Sequence, residues 1–131
     1  MKHLLLVALG GGVGAGLRHL VSLATLRLIG PGFPWGTVTV NVAGSFVMGL
    51  FIAWLARYSD LLGGAAQDVR YLLATGLLGG FTTFSAFSLD FAVMWERGDL
   101  GLAGAYALAS VLLSLSAVFA GLWVMRSIAA W

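Results

Sequence analysis

Gly79-Gly80-Phe81-Thr82-Thr83-Phe84-Ser85-Ala86-Phe87-Ser88 stands in the middle of an otherwise apolar run that extends from Tyr71 to Trp95. A run of that length suits a bilayer crossing, which takes about 20 mostly apolar residues per helix. Two adjacent glycines and a crowd of hydroxyls at its centre favour a local break of the helix. A break frees carbonyls and amides, and lipid tolerates them only where they are buried in protein or line a cavity. The stretch therefore predicts a membrane helix interrupted at depth, with a polar path beside the interruption.

Outward from it, three more runs have spanning length: Leu4 to Ile29, Trp35 to Leu55 and Leu100 to Met125. Of the 131 residues 60% are hydrophobic and 9% charged, and the mean hydropathy is +1.00. Soluble domains carry about 25% charged residues, so lipid is the solvent this composition predicts. The expectation is an all-α membrane protein of one domain over residues 1–131, with four transmembrane helices at about 4–29, 35–55, 71–95 and 100–125, the third broken. The start, Lys2 followed by Leu4 to Leu9, resembles a signal peptide, but no convincing cleavage site follows; it reads as the first helix, retained.

Nearly all charged residues sit at the ends of these runs, so the net charge of +2 marks interfaces and does not suggest nucleic acid. With no cysteine, disulfides, thiolate metal sites and a cysteine nucleophile are excluded. The connections Gly30-Pro31-Gly32-Phe33-Pro34 and Glu96 to Asp99 read as turns, and Arg57 to Arg70, with its Gly63-Gly64 pair, as the one flexible loop. Gly10, Gly12 and Ala15 fit a dinucleotide fingerprint only superficially, because no acid occurs before Asp60 to hold a ribose. Tight helix packing is the better account, with small-xxx-small pairs at Gly12/Gly16 and Gly76/Gly80.

Four features carry chemistry. Arg18 lies inside the first run, where an unpaired charge costs about 2.5 kcal/mol or more; it either snorkels to the interface or lines an aqueous vestibule that concentrates anions. Asn41, near the start of the second run, either bonds across a helix interface or offers its amide protons to something passing. Ser110 and Ser114 lie one turn apart, with Tyr106 a turn before them, a stripe that suggests a wet face. Phe84 and Phe87 share a face of any helical part, and aromatic edges carry positive quadrupole charge that suits a small anion.

Absences separate the function classes. Asp90 is the only acid inside a run, and no acid pair, Ser/His/Asp set or metal-spaced His cluster can be assembled from the sequence. An enzyme is not expected. A proton-coupled exporter of small molecules or fluoride is the second reading, although the first run lacks the membrane-embedded glutamate of small multidrug exporters. A non-conducting helix-packing subunit is the third.

Three segments resemble the fluoride channel family known as Fluc or CrcB. They are Gly11-Gly12-Val13-Gly14-Ala15-Gly16-Leu17-Arg18, then Gly36-Thr37-Val38-Thr39-Val40-Asn41-Val42-Ala43-Gly44-Ser45-Phe46 with Gly49, and Gly76 to Ser88 with its Gly-Gly-x-Thr-Thr-Phe-Ser-x-Phe-Ser core. The resemblance covers the whole chain. It implies a passive, fluoride-selective channel that relieves fluoride toxicity in the inner (plasma) membrane of a microbe. It implies further an antiparallel, dual-topology homodimer in the lipid bilayer, with two narrow pores and a central structural sodium ion. By analogy, Gly79 and Thr82 would give backbone carbonyls to sodium, Phe84 and Phe87 would line the pores with Asn41 donating near them, and Ser110, Ser114 and Tyr106 would form a polar track. Arg18 would stand at the vestibule, with Ser85 and Thr83 joining the pore set. Ala86 and Asp90 depart from the family, which often has threonine and glutamate there.

Four spans put both ends of the chain on one side with Lys2, Arg57, Arg70 and Arg126, against Arg27 and Arg97 opposite. That bias is weak. Orientation reporters fused to either end are expected to register both topologies, and a single topology would contradict the antiparallel arrangement.

Overall fold

The computed structural model describes residues 1–128, and among them helices and short connections account for the whole chain. Helix α1 (Lys2–Leu28) is followed by α2 (Trp35–Leu62), a short α3 (Ala65–Val69), a π-helical stretch Arg70–Leu78, α4 (Gly79–Phe81), α5 (Phe84–Glu96) and α6 (Leu100–Ile128). The segment from α3 to α5 is a single interrupted rod. Four rods, Lys2–Leu28, Trp35–Leu62, Ala65–Glu96 and Leu100–Ile128, are long and apolar enough to cross a membrane.

The expected flexible loop after Arg57 is mostly helix. Nothing between Arg57 and Leu62 stops α2, and the chain reverses only at Gly63, whose φ of +52° is easily reached without a Cβ. Helix α3 resumes two residues later. At this end Lys2 and His3 of α1 both reach Asp68 of α3, the histidine at 3.3 Å, and the His3 ring stacks on Tyr71 at 4.4 Å. The first and third rods are thereby fastened at one membrane boundary.

Within the membrane these two rods meet backbone to backbone. A Cβ placed on Gly10 would lie 2.2 Å from the Leu72 carbonyl oxygen, one on Gly14 2.0 Å from that of Leu77, and one on Gly80 2.5 Å from that of Gly11. The packed pair on α1 is thus Gly10/Gly14, four residues apart on one face, whereas Gly12 and Gly16 have nothing within 4 Å and point away from the chain's own helices. On the partner rod, Gly76/Gly80 is packed as the spacing predicts. A nine-residue π-helical stretch is long, since π-helix is mostly found as single turns, often near functional sites.

A second crossing joins α2 to α6. Gly49 and Gly121 approach reciprocally: a Cβ on either would lie 2.2 Å from a backbone oxygen of the other helix, Val118 for Gly49 and Phe46 for Gly121. Toward the N-terminal ends of α2 and α6, helix α5 and the turn before α2 pack against them. Phe33 of that turn meets the Tyr106 ring edge-on at 5.5 Å, and Tyr106, Met94 and Ala103 form a buried cluster there with Phe87 and Phe91 packed against it.

Because the Gly49–Gly121 contact is backbone on backbone, Gly49→Val forces the helices apart and is expected to cost about 1–3 kcal/mol. Thermal unfolding in detergent should show a clear drop for Gly49→Val and almost none for Gly104→Ala, where nothing lies within 4 Å; equal losses would contradict this account.

Candidate functional site: a polar cavity at the helix break

The break falls at Thr82 and Thr83, both extended, at φ −81°, ψ 160° and φ −154°, ψ 122°. Gly79 and Gly80 remain helical. These glycines therefore serve approach, Gly80 lying against Gly11, and the interruption belongs to two β-branched residues whose backbone is held from outside the rod. Asn41 of α2 holds it. Its Oδ1 accepts the Thr83 N–H at 2.7 Å while its Nδ2 donates to the Thr83 carbonyl at 2.9 Å. The Thr83 hydroxyl then caps α5 by accepting the Ala86 N–H at 3.1 Å, a bond that satisfies one of the orphan donors of the new helix.

The two-point pairing answers the question left open for Asn41: it is a cross-helix bond. It also leaves capacity to spare, since a carboxamide has two N–H donors and one is used. The residue faces a cavity of about 230 Å³ walled by Asn41, Ser45, Thr82, Thr83, Phe84, Phe87, Ser110, Val111 and Ser114. Seven of the residues singled out from the sequence thus meet in one place. Ser110 is 5% exposed, and its hydroxyl has no hydrogen-bond partner among the described residues. A buried unpartnered hydroxyl facing a cavity is a donor kept in reserve, since such groups normally find a partner. The Phe84 and Phe87 rings lie 5.4 Å apart, tilted by 47°.

Four candidates lie outside this wall. Ser85 is exposed, its hydroxyl 3.3 Å from that of Thr83. Tyr106 is buried one level away; its ring packs on Phe87 at 5.3 Å and its hydroxyl donates to Asp90 Oδ2 at 3.0 Å. Gly79 lies in α4; the Thr83 amide that would complete its helical hydrogen bond goes to Asn41 instead. Arg18 neither snorkels to the interface nor reaches the cavity. Its Nη1 donates to the Thr82 carbonyl at 3.4 Å, and it walls a separate space of about 260 Å³ together with Ala15, His19, Ser22, Thr37, Val40, Thr83 and Ala86.

Two residues have a place here that the sequence reading did not assign. Thr37 donates to Asp90 Oδ2 at 2.7 Å, and Ser45 stands on the cavity wall. Thr37, Asn41 and Ser45 recur every four residues on α2, and Tyr106, Ser110 and Ser114 do the same on α6. The spacing was available as a signal, because residues four apart share a helix face. Within each stripe successive residues stand ~6 Å apart at 1.5 Å per residue; Thr37 and Tyr106 meet on Asp90, and Asn41, Ser45, Ser110 and Ser114 wall the cavity.

Such a molecule is a four-span membrane protein with a polar cavity at an intramembrane helix break. The chain belongs to the CrcB family: the family model described as CrcB-like protein, Camphor Resistance (CrcB), matches residues 5–122. Among its relatives is a protein of Mesorhizobium japonicum named fluoride-specific ion channel FluC, 58% identical over 128 residues that cover 98% of this chain and 99% of the relative. Proteins of the same name from Chelativorans sp. and Hyphomonas neptunium are 59% and 56% identical, covering 98% of this chain and 99% and 98% of their own lengths. The chain is accordingly a multi-pass bacterial membrane protein.

Asn41 and Ser110 differ in what their removal leaves behind. Asn41→Ala orphans both backbone groups of buried Thr83, at about 1–3 kcal/mol for each, whereas Ser110→Ala removes a hydroxyl with nothing to lose and is expected to be neutral or slightly stabilising. Melting curves in detergent check both; a large loss for Ser110→Ala would mean that its hydroxyl is bonded.

Proposed function

We propose that the protein is a passive, fluoride-selective channel that lets cytoplasmic fluoride leave the cell. The observation that carries this reading is the cavity at the break, where the spare Asn41 N–H, the unpartnered Ser110 hydroxyl, Ser114 and the Phe84–Phe87 pair converge with no carboxylate on the wall. Fluoride is small, tightly hydrated and a strong hydrogen-bond acceptor, so a pore for it replaces water with hydroxyl and amide donors and with positive ring edges. The names of the relatives support the same substrate. The inside-negative potential supplies about 2.3 kcal/mol per charge per 100 mV to drive an anion outward, so no coupling site is required.

An antiparallel pair of chains is part of this reading. Phe84 is 76% exposed in the single chain, Ser85 and Ser88 are exposed at membrane depth beside it, and Gly12 and Gly16 present an open small-residue face. A second copy would cover these groups and complete the wall that one chain leaves open.

A structural sodium ion at the centre of that pair fits the donors in part. Unwound carbonyls are sodium ligands in broken membrane helices, and the Gly79 carbonyl has lost its α-helical amide partner to the break. The Thr82 carbonyl receives Arg18 on one lone pair and retains the other. Gly79 and Thr82 would hold the ion, which would fix the break by bonding carbonyls that lipid cannot satisfy.

Asp90, the carboxyl a proton-coupled exporter would need, receives the hydroxyls of Thr37 and Tyr106 on one oxygen and stands one level from the cavity. In liposomes holding the purified protein, with no proton gradient, rapid electrode-detected efflux of fluoride but not of chloride is expected. Ser110→Ala should slow it about tenfold while keeping the fold, the loss of ~1.4 kcal/mol that one hydrogen bond to an ion is worth. Flux that requires an imposed proton gradient and stops in Asp90→Asn would establish the exporter instead.

A further inference from the structure

The space around Arg18 is the part of the molecule that the pore reading leaves unused. Its 260 Å³ shares Ser22 and Thr37 with a larger cavity of about 420 Å³, which opens among the Gly30–Pro34 turn, Arg97 and Asp99 at one end of the rods. It shares Thr83 with the cavity at the break. These spaces share wall residues in series, from that end past two hydroxyls to the guanidinium and the residue beside it. That residue is His19, exposed in the single chain and without a hydrogen bond among the described residues.

We propose that His19 is a second cationic group of the anion mouth, which joins Arg18 when protonated and raises the rate at which fluoride enters the pore. The inference rests on the channel reading above. An imidazole is the side chain whose charge changes between about pH 5 and 8, and a mouth lined by one sign of charge raises the local density of counter-ions and their rate of entry. In a water-like medium one added charge raises that density about threefold at a distance of ~6 Å.

The surroundings favour His19 over other groups as the source of a pH response. On its own helix the neighbouring charge is Arg18. The groups facing it from α2 are Thr37 and Val40, from the break Thr83 and from α5 Ala86, so no carboxylate lines this space. The π-helical stretch and α4 meet α1 through Gly10, Gly11 and Gly14, and their titratable members Arg70 and Tyr71 lie at the opposite end with His3. Asp90, Arg97 and Asp99 wall the adjoining outer cavity, and Asp90 is the one among them bonded to a wall residue that both spaces share, Thr37.

The test is the fluoride current through purified protein in planar bilayers of uncharged lipid. It is read at about pH 5.5 and about pH 8 on both sides, at ~0.01 M ionic strength, where the Debye length is about 30 Å. The native current should be about threefold larger at the acid pH, and the ratio should fall to about one at ~1 M salt, where the Debye length is 3 Å. His19→Gln should flatten the ratio, His19→Lys should flatten it with a current held at the higher level, and Asp90→Asn should retain it. A native ratio of one, or a ratio that survives in His19→Gln, overturns the assignment of His19 while leaving the channel in place. Absence of fluoride current at either pH overturns the channel reading and this inference with it.

Discussion

A helix cannot stop in the middle of a membrane unless something takes over its backbone, and in this chain that task falls to one carboxamide. Asn41 supplies an acceptor and a donor to the amide and carbonyl of Thr83 at 2.7 and 2.9 Å, reproducing from the side what a further turn of helix would have supplied from within. Much else follows from that substitution. It sets the level of α2 against the third rod, it turns the Thr83 hydroxyl toward Ala86 to start α5, and it directs the Phe84 and Phe87 rings to the wall that Ser110 and Ser114 complete from α6. In lipid, where an unsatisfied backbone group costs several kcal/mol, such a pairing leaves the break little freedom to move.

The glycines act by the opposite means, bringing backbones together where no side chain intervenes. Gly10 and Gly14 lock the first rod onto the third, and Gly49 with Gly121 locks α2 onto α6. Both contacts lie away from the cavity. Cohesion comes from van der Waals contact at glycine crossings, while the polar side chains gather at the break, where Gly44 lets α2 approach Thr82.

How legible this was depends on which physical signal each part carries. The four rods are written as apolar runs, and the interruption as a hydroxyl-rich stretch within the third, because lipid imposes a strict length and polarity rule. The pairings are not written in that way. Gly12/Gly16 and Gly10/Gly14 have the same spacing in a run of five glycines, and only the path of the neighbouring rod makes the second pair the buried one. The break sits at Thr82 and Thr83 rather than at Gly79 and Gly80 because a partner 42 residues away supplies the bonds. The loop after Arg57 looked flexible from its glycine pair, yet Tyr58 to Leu62 carry no breaker and simply prolong α2. Ser45 and Thr37 went unassigned although they continue the period of Asn41, whereas the matching serines of α6 stood out because little else there is polar.

The regular period of the two stripes shapes the free-energy profile felt by anything that moves along them. Donors arrive at intervals of ~6 Å, roughly the distance at which an ion can begin to engage the next set before it has fully released the last. No closed cage of ligands makes a deep well: Thr37 and Tyr106 are spent on Asp90, Asn41 has one N–H and Ser110 one hydroxyl to give, and Ser45 and Ser114 stand beside them. Several shallow sites in series permit rapid passage, since conduction needs binding strong enough to admit an ion and weak enough to release it. On the channel reading, the four-residue period along two neighbouring helices thus sets a kinetic property, the evenness of the path, without any one residue being tuned for speed.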